Sequence, residues 1–243
     1  MSDEPAFYGH LTFNAPLSDG RADAIAARLA AAAPATVLDV GCGWGELLLR
    51  VLAAAPGARG TGVDTDDRVL ARGRDAAVDR GLVGRVAFDN IAGRDLSEPA
   101  DLVMCVGSTH AFGDTPDALA ALQKLVRPGG RLLFGDGIWQ ERGPVDRGLV
   151  WDDVLAQPDL GGLVDLAVDS GFRPLWVEAA DADEWDAFES GFLADSEEWL
   201  MTHADHPDAP KIRAQADEHR RRWLHGYRNG LGFGYLTLGV PVG

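Results

Sequence analysis

Three glycines in alternation, Gly41, Gly43 and Gly45, follow an apolar run containing Val37, Leu38 and Val40. Glycines at such a turn let backbone amides approach a bound group closely, because no Cβ intervenes. An acid, Asp64, closes the segment GTGVD nineteen residues after Gly45. It lies where a ribose hydroxyl pair needs an acceptor. The order strand, glycine turn, helix (ELLLRVLAAA), strand, acid describes the nucleotide-binding half of a doubly wound α/β sheet. His110, in GSTHAFG, lies just past an expected fourth strand, and a histidine there suits proton removal near neutral pH.

The glycine spacing separates two ligand classes. A dinucleotide site wants Gly-x-Gly-x-x-Gly, with the pyrophosphate on a helix N-terminus. This chain has Gly-x-Gly-x-Gly, and Glu46 occupies the third dinucleotide position. A carboxylate there repels a diphosphate, and Asp39 adds negative charge just before the turn. A cofactor with ribose and adenine, no phosphate and a positive charge fits better. S-adenosylmethionine is such a molecule.

The run Asp39-Val40-Gly41-Cys42-Gly43-Trp44-Gly45, with Asp64 beyond it, resembles the class I S-adenosylmethionine-dependent methyltransferases. Asp101-Leu102-Val103-Met104-Cys105 is similar to that family's fourth strand. The run Leu125-Val126-Arg127-Pro128-Gly129-Gly130-Arg131-Leu132-Leu133 is similar to its helix, Pro-Gly-Gly turn and fifth strand. The likeness covers about residues 35–180 and resumes at the last strand.

The resemblance implies a Rossmann-like, doubly wound and mostly parallel seven-stranded sheet with a helical insertion before the last strand. It implies cofactor contacts from Asp39, Gly41, Cys42, Gly43, Gly45, Asp64, Thr65, Asn90, Ala92, Val106 and Gly107. Asp64 accepts the ribose hydroxyls in this reading. The family's adenine-contacting acid falls at Ala92, which leaves Asn90, Asp89 or backbone groups as alternatives.

The chain has 243 residues, enough for one sizeable core, and is read as a single domain over 1–243. Within it, 1–34 are an N-terminal lid and helix, 35–180 the cofactor-binding core, 181–230 a helical cap and 231–243 the last strand. Net charge is −16, which disfavours double-stranded nucleic acid and anionic membrane surfaces as partners. The start, MSDEPAFYGH, has no basic region followed by an apolar core, and no apolar run approaches a membrane span of about 20 residues. The two cysteines, Cys42 and Cys105, suggest buried reduced thiols, give no zinc constellation and make a cytoplasmic address the default. The chain is expected to act as a monomer or a homodimer.

Ser18 is placed to cap a helix through ADAIAARLAAAA, and Pro116 suits the first turn of another. Asp181–Glu198 carries eight acids and no Lys or Arg, with Trp185, Phe188, Phe192 and Trp199 interleaved at near-helical spacing. Pro210–Gly230 is a second helical candidate. The two read either as a cap over the substrate pocket or as a layer that only covers a sheet face.

In an open parallel sheet, ligands bind beyond the carboxyl ends of the strands. That selects the loops after Val40, Val63, Phe88, Val106 and Phe134. His110 is the leading base candidate, against a role in fixing its own loop. His10 and Phe13 lie in an N-terminal segment similar to the lid of some small-molecule methyltransferases. Trp139, after the fifth strand, offers an aromatic face to an apolar substrate or a cation. His225 and Arg228 complete the candidate substrate residues, and no residue is assigned to a metal.

The function expected is methyl transfer to an O or N atom of a small molecule. Two alternatives stay open. One is carbon methylation of the cyclopropane-fatty-acid-synthase-like kind, suggested by VGCGWGELLL. The other is a cofactor-binding protein without catalysis.

Overall fold

A computed structural model describes residues 4–242. The chain divides into two compact units, one made of Ser18–Asp136, Leu160–Ala179 and Phe233–Gly243, the other of Met1–Leu17, Gly137–Asp159 and Ala180–Gly232.

The first unit contains nearly all of a seven-stranded sheet. Its strands are β1 (Thr36–Val40), β2 (Arg59–Asp64), β3 (Val86–Asn90), β4 (Ala100–Val106), β5 (Val126–Trp139), β6 (Arg173–Ala179) and β7 (Leu231–Gly239). Their order is β3-β2-β1-β4-β5-β7-β6. The pairs β1–β2, β1–β4, β2–β3 and β4–β5 are parallel, and β6–β7 is antiparallel. The order steps outward in both directions from β1 and β4, so the sheet's switch point lies between them. The central strands are buried on both faces, as in β4, where Leu102, Val103, Met104 and Cys105 are at most 1% exposed.

The helices follow local signals. In α1 (Asp19–Ala30) the Ser18 side chain accepts from Arg21 N and caps the first turn. Helix α2 (Glu46–Ala54) begins directly at the glycine turn and buries Leu48, Leu49, Val51 and Leu52. Helix α3 (Asp67–Asp79) is capped by Asp66, and the chain leaves it through Gly81 at φ +67. Helix α4 (Thr115–Leu125) has Asp114 as its cap and Pro116 in its first turn. After it, β5 takes in Pro128-Gly129-Gly130 rather than starting beyond them. Gly129 N donates to Val240 O at 2.9 Å and Val240 N to Gly130 O at 3.1 Å, so the turn stays hydrogen-bonded to the chain after β7. At the strands' starting end, Asp101 accepts from Ala35 N, Thr36 N and the Thr36 hydroxyl, and pairs with Arg127 at 2.9 Å. The Arg127 guanidinium and these donors hold the Asp101 carboxyl below its ordinary pKa.

The second unit is mainly helical. A short helix α5 (Asp152–Leu155) belongs to it, whereas α6 (Leu160–Asp169) returns to the first unit. Helix α7 (Ala182–Thr202) opens with a reciprocal capping box between Asp181 and Glu184. Helix α8 (Ala209–Arg221) packs against α7 and runs into a π-helical turn at Arg222–Tyr227. Both lie between β6 and β7, as the sequence led us to expect of the insertion. Val150, Leu193, Ala216, Trp223 and Tyr227 form the buried core of this unit. The N-terminal segment lies along α7: Gly9 N donates to Asp195 at 2.8 Å, and a Cβ on Gly191 would stand 2.7 Å from Leu11 Cδ2. No helix among the described residues is long and apolar enough to cross a membrane.

Candidate active site

The turn after β1 is built on backbone conformation. Gly41, Gly43 and Gly45 have φ of +67, +55 and +65, the left-handed region that favours glycine. At two of them space is a second constraint. A Cβ on Gly41 would stand 2.3 Å from Ser108 Oγ, and one on Gly45 would stand 2.3 Å from Phe88 Cε1. Gly43 differs, since a Cβ there meets no atom within 4 Å. The middle of the loop therefore faces open space, bounded by the Asp64 carboxylate. Asp64 accepts from Gly43 N at 2.9 Å and from Asp66 N at 3.0 Å, one bond to each oxygen. Each carboxylate oxygen keeps acceptor capacity for a further donor.

Asp39 is 6% exposed at the end of β1, and no described residue donates a hydrogen bond to its carboxylate. Burial, and then the nearby Asp64 charge, push its pKa from 3.8 to about 7. Cys42 is half-buried rather than buried as expected, and desolvation with the two acids raises its thiol above the ordinary value, which disfavours the thiolate. This corner rewards a positive charge and penalises a phosphate. Glu46 contributes less to that field than its position in the sequence suggested. Its carboxylate pairs with Arg50 at 2.8 Å and with Arg80 at 2.6 Å. A ligand with ribose hydroxyls, an ammonium or sulfonium and no phosphate fits these residues.

The remaining loops end near the same strand termini. Thr65 and Asn90 are exposed, and Asn90 Nδ2 reaches Thr65 O at 3.5 Å. Ala92 is half-buried and leads into a short 3-10 turn, Gly93–Asp95. A Cβ on Gly93 would stand 2.8 Å from Val40 Cγ1, so this loop closes down on the end of β1. Val106 is half-buried, and Gly107, at φ +70, turns the chain out of β4.

Two residues that the sequence did not single out fix the loop after β4. Ser108 is buried and donates at 3.2 Å to Gly41 O, joining this loop to the glycine turn. Asp136, buried in β5, accepts from the Thr109 hydroxyl at 3.2 Å and the Thr115 hydroxyl at 2.7 Å. His110 lies between those two anchors, on a 3-10 turn, exposed and with no hydrogen-bond partner among the described residues. The signal for Asp136 in the sequence is the acid in GDG directly after an apolar strand.

The other candidate substrate residues belong to the second unit. His10 is exposed and its Nε2 lies 3.1 Å from Glu198. Phe13 is buried at 7% exposure. Trp139 is half-buried against Gly230, where a Cβ would stand 2.4 Å from its ring, and Arg147 lies 5.5 Å over its face. His225 is exposed and its carbonyl accepts from Asp146 N. Arg228 makes a bidentate pair with Asp186 at 2.8 and 2.6 Å. The sequence also gave no prominence to Glu189, His219 and Tyr227, which form a hydrogen-bonded cluster in this unit.

A methyltransferase-domain family profile matches residues 38–132. The protein YjhP of Escherichia coli is 29% identical over 207 residues, 83% of each chain. A crystal structure of an S-adenosylmethionine-dependent methyltransferase from Geobacter sulfurreducens, in complex with S-adenosylhomocysteine, superposes with a TM-score of 0.83. It is 27% identical and covers 93% of this chain and 92% of its own. The 27-O-demethylrifamycin SV methyltransferase of Amycolatopsis mediterranei is 32% identical over 117 residues, 47% of this chain and 43% of its own length. The chain carries a methyltransferase domain, shares its fold with S-adenosylmethionine-dependent methyltransferases and takes S-adenosylmethionine as its cofactor.

Proposed function

We propose that the protein methylates an oxygen or nitrogen atom of a small molecule, with His110 as the group that takes the acceptor's proton. The observation that carries this reading is the anchored loop after β4. Ser108 and Asp136 hold it at both ends and leave His110 exposed without a partner among the described residues. A base must be fixed in place yet free to accept, and this arrangement meets both requirements. The small-molecule part rests on the net charge of −16 and on the name of the rifamycin-modifying relative.

The cofactor supplies an electrophilic methyl carbon on a sulfonium. The chain's residues bind and orient. In this reading Asp64 accepts the ribose hydroxyls, the turn at Gly41, Gly43 and Gly45 admits the methionine half, and Asp39 faces its ammonium. Cys42, Thr65, Val106 and Gly107 line the same loops. Asn90 and the backbone at Ala92 meet the adenine. His110 removes a proton from a hydroxyl, or receives one from an amine after transfer. His10, Phe13, Trp139, His225 and Arg228 serve the acceptor.

The test is transfer of labelled methyl from S-adenosylmethionine to a panel of phenols, carboxylic acids and amines. For the acceptor that reacts, His110→Ala is expected to lower kcat by about a hundredfold or more, with affinity for S-adenosylhomocysteine unchanged. Product methylated only on carbon would refute the heteroatom assignment. An unchanged kcat in the variant would refute the role of His110.

A further inference from the structure

In the second unit, a carboxylate and an imidazole are held among aromatic rings, and the reading above gives them no task. Glu189 is 4% exposed on α7. Its Oε1 accepts from the Tyr227 hydroxyl at 2.8 Å, and its Oε2 lies 2.7 Å from His219 Nε2. A carboxylate only accepts, so neutral His219 carries its proton on Nε2 and presents a lone pair on Nδ1. No described residue bonds that second nitrogen. His219, Trp223 and Tyr227 follow at four-residue spacing along α8 and the π-helical turn, which sets them on one stripe. The Trp223 indole N–H, like those of Trp185 and Trp199, is buried without an acceptor among the described residues and is closed to a ligand. The stripe therefore offers a ligand one unused acceptor, His219 Nδ1.

Aromatic faces surround it. Phe192 stacks on the His219 ring at 5.1 Å and 26°, and Trp151 lies 5.8 Å from Tyr227. Phe192 is 39% and Trp151 42% exposed. A purely structural clasp needs neither a spare imidazole nitrogen nor exposed rings on both flanks.

We infer that this stripe binds an aromatic ring bearing a hydroxyl group. The hydroxyl donates to His219 Nδ1, and the ring packs on Phe192. Tyr227 and Glu189 are positioning residues that fix the imidazole tautomer. The site lies within the second unit, and the inference goes beyond the methyl-transfer reading, giving the bound ring no step in that reaction.

The test is binding of 2-naphthol to the whole chain by fluorescence titration, with its methyl ether, 2-methoxynaphthalene, as a control that cannot donate. Wild type is expected to prefer 2-naphthol by about tenfold or more, the worth of one hydrogen bond made in a dry site. His219→Phe keeps a ring for Phe192 and is expected to abolish that preference, with S-adenosylhomocysteine affinity intact. Should that variant fail to fold, the wild-type preference and a naphthol-dependent shift of the His219 ring nitrogen signals test the same contact. Equal binding of the two compounds, or no binding of 2-naphthol by a chain that binds S-adenosylhomocysteine, overturns the inference. Failure to bind S-adenosylhomocysteine would instead strike the methyltransferase reading.

Discussion

Replacing Asp39 with Asn should stabilise the free protein and weaken its hold on the cofactor. Asp39 is buried at the end of β1, and its pKa rises from 3.8 to about 7. Its folded-state pKa is above its unfolded value, so the folded state binds the proton more tightly. The carboxyl is harmless below pH 3.8, and stability falls as pH rises from there through about 7. Each unit of difference is worth about 1.36 kcal/mol. The penalty is then about 2 kcal/mol at pH 5.5 and levels off near about 4 kcal/mol at pH 8. Asn keeps the shape and does not titrate. Urea unfolding of wild type and Asp39→Asn at pH 5.5 and pH 8 should show a gain in the variant that grows by about 2 kcal/mol between the two. Calorimetry with S-adenosylhomocysteine should show the reverse, with wild-type affinity rising across the same window and the variant weaker and flat. A stability difference that does not grow with pH, or a variant that binds as tightly at pH 8, would refute the reasoning.

Three further outcomes follow from single contacts. Gly41→Ala drives a Cβ against Ser108 at a left-handed φ, and should lower stability by about 2–4 kcal/mol in urea unfolding and impair cofactor binding. Asp136→Ala frees the Thr109 and Thr115 hydroxyls and loosens the loop that carries His110. It should lower kcat by about tenfold or more while the calorimetric affinity for S-adenosylhomocysteine stays within about threefold. Arg85→Ala removes a guanidinium that donates to the carbonyls of Leu52, Ala55, Pro56 and Ala58. Unfolding should show a loss of about 2 kcal/mol with no change in cofactor affinity.

The parts legible in the sequence are those encoded by short-range patterns. The alternating glycines, the Ser18 cap and the Pro116 start each state a local backbone requirement, and the structure meets each one. The insertion was legible because eight acids and interleaved aromatics break the α/β rhythm between residues 181 and 198. Contacts between distant residues were not legible. Ser108 meets Gly41 across 67 residues, and Tyr227 meets Glu189 across 38. Nothing local marks such a serine or glutamate as special. Glu46 shows the same limit, because its partner Arg80 is 34 residues away and its charge reads as free until the fold pairs it. The Pro-Gly-Gly turn read as a break between helix and strand, whereas its pairing with Val240 makes it part of β5.

Cofactor binding at the glycine turn and Asp64 underlies every functional assignment made for this chain. Isothermal calorimetry of the whole chain with S-adenosylhomocysteine, for wild type and Asp64→Ala, tests it. Micromolar binding by wild type is predicted. The variant should lose affinity by about a hundredfold, since charge-assisted hydrogen bonds to two hydroxyls are removed. Its fold is to be checked by thermal melting, because Asp64 also holds Gly43 and Asp66. No binding to wild type, or equal binding to a folded Asp64→Ala, would contradict the assignment of the cofactor site.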